Sequence, residues 1–217
     1  MKTIYIIGEG QTEEEFIKEL VSPFLKNLGI INAVPILLET SSGHYGGDLS
    51  YYRYKTNAVN LLKQDPNAIV TSLIDYYALR SDFPGYYDPI RDSLSRVTHL
   101  EQRIGADINN HRMFPYIQLH EFEALLFTDI KAYNKYFPVQ SPKIQYIIGQ
   151  YPNPEDINDS PSTAPSSRMK NIFGARKYKK TFHGPLIALE NGIDPILKKC
   201  TRFKAWIDRL ISIAGDN

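Results

Sequence analysis

The stretch Thr3-Ile4-Tyr5-Ile6-Ile7-Gly8-Glu9-Gly10-Gln11-Thr12-Glu13 decides how the chain is read. Residues 3–7 form a short apolar, β-branched run, the pattern of a buried first strand. Glycines on either side of Glu9 then expose its carboxylate. Thr12 and Glu15 make a capping-box pattern, and Phe16, Ile17, Leu20, Phe24 and Leu28 follow at the spacing of an amphipathic helix. A strand running into a helix is the opening unit of an α/β sheet.

The same alternation continues outward. Residues 33–38 read as a second strand, followed by a glycine-containing loop over 41–47 and a helix over 49–63. Residues 67–74 give a third strand and 88–103 a third helix. A fourth strand spans 112–119, where Pro115 removes a ladder donor and favours an edge. A short helix over 121–127 closes this part. The expectation is an α/β fold: a mostly parallel four-stranded sheet with helices on both faces. Beyond residue 128 strand signals fade. Residues 151–167 are rich in Pro, Ser, Asn and Asp and read as a loop, and Phe203, Trp206, Ile207, Leu210 and Ile211 mark a last core-facing helix. One domain over 1–217 is expected, with a sheet core at 1–127 and a helical extension at 128–217.

Composition agrees with an ordinary globular protein: 217 residues, 42% hydrophobic, 23% charged and a net charge of +1. This excludes a disordered tail and a strongly basic binder, while segregated charge still allows a nucleic-acid partner. A single cysteine, Cys200, rules out disulfides within the chain and cysteine-based zinc sites. The apolar run Ile4-Tyr5-Ile6-Ile7 is too short for a signal-peptide core, and no run approaches a membrane span, so a cytoplasmic location with no membrane partner is expected.

Ligands of open parallel sheets sit beyond the carboxyl ends of the strands. Glu9 directly follows the first strand, Asp75 the third and Glu121 the fourth. Three carboxylates at one edge, with no lysine or arginine among them, repel one another unless a cation lies between, and oxygen ligands suit Mg²⁺, Mn²⁺ or Ca²⁺. Other readings stand beside this one. Glu13, Glu14 and Glu15 lie in a helix's first turn, where acids meet the dipole. Asp75 alone would cap a turn, and Glu121 would open the next helix.

The segment Glu9-Gly10-Gln11-Thr12-Glu13 after an apolar strand resembles the opening motif of TOPRIM domains, especially those of overcoming-lysogenization-defect (OLD) nucleases. The full set of segments resembles a bacterial, TOPRIM-like family known as domain of unknown function 4276. Its hallmarks are Glu9-Gly10 with Thr12-Glu13, Asp75-Tyr76-Tyr77 with Phe83-Pro84-Gly85, and His120 to Phe127. They continue with Ala164-Pro165-Ser166-Ser167-Arg168, Tyr178-Lys179, His183-Gly184 and the tail around Phe203 and Trp206. The resemblance implies a TOPRIM-like fold in which a glutamate after the first strand and an Asp-x-Asp pair after the third hold catalytic metal. Glu9 and Glu13 match the first element and Asp75 the first aspartate. Tyr77 stands where the second aspartate belongs, so Glu121 or Glu123 would supply the missing carboxylate, with Glu121 nearer the strand end. The implied function is a Mg²⁺- or Mn²⁺-dependent nuclease, working beside a separate ATPase in defence against phage or other foreign DNA. The alternative is a non-catalytic module that binds nucleic acid or a partner protein.

A basic stripe, Arg168, Lys170, Arg176, Lys177, Lys179 and Lys180, is interleaved with Phe173 and Tyr178. Such a stripe suits a phosphate backbone or is a solvated helix face. Arg168 is its best candidate for a phosphate fork. His120 would orient Glu121 or act as a base, or be structural; His183 lies in a matched segment; His44 sits in the glycine loop, where backbone amides would cradle a phosphate. Tyrosines at 51, 52 and 54 and at 86 and 87 would line a stacking groove or fill the core.

Overall fold

The structure is a computed structural model describing residues 2–29, 31–41, 44–45, 49–77, 79–158, 160 and 162–215. Strand β1 (Lys2–Gly8) leads into α1 (Gln11–Phe16), a π-helical turn (Ile17–Val21) and α2 (Ser22–Asn27). Then come β2 (Ile31–Leu37), a hairpin of β3 (Glu39–Ser41) and β4 (His44–Tyr45), and α3 (Tyr51–Gln64). Next are β5 (Ile69–Asp75), α4 (Ser93–Ile108), β6 (Met113–Phe114), β7 (Ile117–Gln118) and a 3₁₀ segment over Phe122–Thr128. The rest is helical: α5 (Lys131–Tyr136), α6 (Ser141–Gln150), α7 (Pro165–Phe173), α8 (Lys180–Asn191), α9 (Ile193–Lys199) and α10 (Thr201–Gly215).

The main sheet runs β2-β1-β5-β6, with β7 also paired to β5, and every pairing is parallel. It is the α/β architecture the sequence predicts, although the expected fourth strand differs. The fourth strand is two short pieces broken at Pro115 and Tyr116, because proline cannot donate to the ladder. Alternation along the strands divides the interior. Ile4, Ile6, Ile69 and Leu73 face α1, α2 and the C-terminal helices, while Ile7, Val70 and Ile74 face α3 and α4. The two polar residues in the buried centre of β5 each find partners. Thr71 accepts from the Trp206 indole at 2.9 Å, and Ser72 bonds the Tyr54 hydroxyl at 2.9 Å. The stripe on α10 is core as expected: Phe203, Trp206, Ile207 and Leu210 are all buried.

The first helix starts earlier than the capping-box pattern suggests. Gly10 is its N-cap, and Thr12 is buried within the first turn. The glycine loop holds a hairpin in which Ser41 pairs with His44. Residues 42–43 and 46–47 of that expected phosphate cradle lie outside the described residues. Among the described residues no helix is long and apolar enough to cross a membrane.

Candidate active site

Parallel pairing of β1 with β5 brings their carboxyl ends together, Gly8 opposite Leu73. Glu9 therefore sits beside Asp75, and its Oε2 accepts the Asp75 backbone N–H at 3.3 Å. Glu13, one turn into α1, points back over the same edge and is 3% exposed. The aspartate is fixed from the far side, where Asp75 Oδ1 accepts the Phe122 N–H at 2.8 Å. That bond also holds the 3₁₀ segment against the strand end and turns buried Glu123 inward.

Lys180 stands among these acids, contrary to the expectation that no basic residue does. Its Nζ lies 3.2 Å from Asp75 Oδ2, 3.3 Å from Glu13 Oε1 and 3.4 Å from Glu123 Oε2. Lys180 opens α8, which packs on α1. Gly184, one turn on, permits the close approach, since a Cβ there would lie 3.0 Å from Thr12 Cγ2. Nothing local in the sequence marks Lys180 apart from its basic neighbours; the spacing to Gly184 is the one usable signal.

One ammonium does not neutralise four carboxylates. Glu13 Oε1 and Glu123 Oε2 are buried, and each meets the Lys180 ammonium at ion-pair distance. Burial, then the charges of Asp75 and Glu13, pushes the Glu9 carboxyl up to about 8. Burial pushes Glu123 up to about 7, with Asp75 and Glu121 adding to the rise against Lys180. Burial likewise raises Glu13. For Lys180, burial opposes the charge, but Asp75, Glu13, Glu123 and Glu9 outweigh it and hold the ammonium well above its usual range.

The remaining expected site residues divide. Glu121 lies outside the cluster's centre: its two oxygens accept the Ser166 N–H at 2.8 Å and the Ser166 hydroxyl at 2.9 Å, at the N-terminus of α7. Glu121 has extended backbone just before the 3₁₀ segment, which sends its side chain the other way from Glu123. Tyr178 is buried, not a surface aromatic, and its hydroxyl reaches Glu123 Oε1 at 3.5 Å. Arg168 is a brace and not an open fork. It donates to the Thr163 carbonyl at 2.7 Å and the Tyr151 hydroxyl at 3.0 Å, and lies over the Tyr151 ring. Lys177 and Lys179 are exposed beside the site. The His183 ring packs among Phe137, Phe173, Tyr178 and Phe182, and its Nδ1 meets Lys179's backbone. His120 is buried with a left-handed φ of 66°, and its carbonyl accepts the Tyr77 N–H at 2.9 Å. Tyr54 is core, and Tyr51 packs on it and on Phe83.

Among the described residues no group of three or more His, Cys, Asp or Glu side chains is arranged to hold a metal ion as it stands. The donor set nevertheless fits a hard cation in chemistry: it is all carboxylate oxygen and, once ionised, carries more negative charge than the Lys180 ammonium offsets.

Family models place the chain. The family described as Domain of unknown function (DUF4276) matches residues 8–211, and the chain belongs to it. No curated protein matches. Among solved structures it is similar to the C-terminal region of the Xanthomonas campestris pv. campestris OLD protein, with 14% identity over 98% of this chain and 97% of that one, at a TM-score of 0.36. At that score the likeness carries no weight for the chemistry, which rests on this chain's own residues.

Proposed function

We propose that this DUF4276 protein is a divalent-cation-dependent nuclease, cleaving phosphodiester bonds in nucleic acid. One observation carries the reading: Glu9 and Glu13 of the β1–α1 junction, Asp75 and Glu123 meet at one sheet edge around a single ammonium, that of Lys180. These four would hold Mg²⁺ or Mn²⁺. A bound ion of that kind polarises a phosphoryl group and makes its water a stronger nucleophile. Lys180 supplies a fixed positive charge where a phosphate's negative charge grows during displacement. The raised Glu9 and Glu123 carboxyls retain protons near neutral pH and release them when a cation arrives. Exposed Lys177 and Lys179 beside the cluster suit the flanking phosphates. The motif resemblance to OLD nucleases, which join such a unit to an ATPase, supports action with a separate ATPase in defence against foreign DNA.

The test is calorimetry with Mn²⁺, then cleavage assays on single- and double-stranded DNA and RNA, with and without a neighbouring ATPase and ATP. Binding heat that disappears in Asp75→Asn, and cleavage that disappears in Glu9→Gln, are expected. Lys180 favours a second reading, a non-catalytic module, since its ammonium already lies at the centre of the acids. No Mn²⁺ heat and no cleavage under any of these conditions would make that reading the correct one.

A further inference from the structure

We infer that the cleft just past the carboxyl end of β5 is a nucleobase-binding subsite, which makes single-stranded or locally unpaired nucleic acid the substrate class. This rests on the nuclease reading for its neighbour, but on different residues. The cleft has a volume of about 300 Å³ and is lined by Tyr76, Tyr77, Tyr86, Ser93, His120 and Asn158, with Ser160. That is the low end of the size range for small-molecule pockets.

Its position is fixed by the same strand ends that carry the acids. Tyr76 and Tyr77 directly follow Asp75. Their backbone N–H groups donate to the Gln118 carbonyl at 3.0 Å and the His120 carbonyl at 2.9 Å. Asp75 itself accepts from Phe122, two residues past His120. Asp75 of the carboxylate cluster and Tyr76 and Tyr77 of the cleft are thus consecutive residues.

Part of the lining is braced. The Arg96 guanidinium lies 5.3 Å from the centre of the Tyr86 ring and donates to the carbonyls of Tyr86, Asp88 and Ile90. The loop carrying Tyr86 is thus tied to α4. His120 is held in left-handed backbone, a conformation that non-glycine residues keep only where surrounding structure imposes it.

The chemistry of the lining selects the ligand. The Arg96 guanidinium, already engaged by three carbonyls, also hydrogen-bonds the Tyr76 side chain, and among the described residues none of those that line the cleft is a lysine, arginine, aspartate or glutamate. What it offers is three tyrosine side chains with smaller hydrogen-bonding groups beside them, serine hydroxyls and an amide. A flat molecule edged with donors and acceptors matches that lining, and a nucleobase is such a molecule. A base paired inside a duplex is not available for this, so it must be unpaired or extruded.

The experiment measures binding of fluorescein-labelled octanucleotides by anisotropy, with full-length protein in EDTA so that no cleavage occurs. Three probes share length: oligo-dT, an abasic backbone with the same phosphates, and one strand of a blunt duplex. Oligo-dT should bind about tenfold more tightly than the abasic probe and the duplex. In Tyr77→Ala the preference should fall below about twofold. Tyr77 is 45% exposed, so its truncation leaves the core intact, which a melting curve would verify. Tyr86→Leu is the second variant and should act the same way. Equal binding of oligo-dT and the abasic probe, an unchanged preference in both variants, or no binding of any probe at about 100 μM would overturn the inference. The two proposals fail separately. Base-dependent binding without Mn²⁺ heat sinks the nuclease and keeps the cleft, whereas metal-dependent cleavage blind to bases sinks only the cleft.

Discussion

The Lys180 ammonium lies 3.2 Å from Asp75 Oδ2, although the two residues are 105 positions apart. The contact ties the start of α8 to the end of β5 and partly neutralises Glu13 and Glu123 as well. A lysine in that position has two consequences: it stabilises the fold when the acids are ionised, and it competes with any other cation for their oxygens.

Lys180→Met should therefore destabilise the protein at about pH 8 far more than at about pH 5, where the acids can take up protons instead. The expected cost at the higher pH is on the order of 1–3 kcal/mol. It falls below the range for fully buried pairs because the Lys180 side chain is 38% exposed and partly screened. Mn²⁺ should restore part of the loss, as a replacement cation. Urea melts at the two pH values, with and without Mn²⁺, measure this; an equal loss at both would assign Lys180 to packing alone.

The wild-type protein should lose stability as pH rises from about 6 to 9. Glu9 at about 8 and Glu123 at about 7 bind their protons more tightly folded than unfolded, where both sit near 4.5. Between those values the folded state holds more protons, so unfolding becomes easier as pH rises. Their contribution is complete below about 4.5 and gone once pH has passed both folded values. Glu9→Gln should flatten the melting-temperature profile over this window. A melting temperature that climbs from pH 6 to 9 would contradict the raised carboxyls.

What the sequence revealed, and what it hid, follows from the range of the interactions concerned. β1 and β5 are legible because residues such as Ile4, Ile6, Val70 and Ile74 form short apolar runs that point to two buried faces. Glu9 and Asp75 are legible because a strand's end is a local feature and parallel pairing makes neighbouring ends meet. Lys180 is not, since only the tertiary seating of α8 on α1 brings it in. The choice between Glu121 and Glu123 was also hidden. Treating the segment as an α-helix misses an extended Glu121 followed by 3₁₀ geometry, in which each residue turns about 120°. Arg168 looks like a free phosphate ligand in a basic run until Tyr151 and Thr163 take two of its donors.

Glu121 and Glu123 should separate cleanly by substitution. Glu121→Ala removes both acceptors of Ser166 at the start of α7 and should cost about 1–2 kcal/mol, the size of a lost helix cap. Its Mn²⁺ binding should remain. Glu123→Gln should do the reverse, weakening Mn²⁺ binding at least tenfold while the neutral amide relieves repulsion with Asp75 and Glu121. Calorimetry and chemical melts on both variants decide the matter; loss of Mn²⁺ binding in Glu121→Ala alone would return that residue to the metal site.

The basic stripe should likewise split into a brace and a contact surface. Arg168→Ala gives up bonds to the Thr163 carbonyl and the Tyr151 hydroxyl, so its main effect should be lower stability and faster proteolysis near residue 163. Arg176, Lys177 and Lys179 are exposed, and replacing all three with alanine should leave the melting temperature within a few degrees. Nucleic-acid affinity should fall in that triple variant. The slope of log affinity against log salt should become shallower by roughly 0.7–0.9 for each phosphate that the protein no longer neutralises. Measuring the slope matters more than a single affinity, because local unfolding reduces the amount of competent protein without changing how many counterions each binding event releases. An unchanged slope in the triple variant, with a shallower one in Arg168→Ala, would reverse the assignment and make Arg168 the phosphate ligand after all.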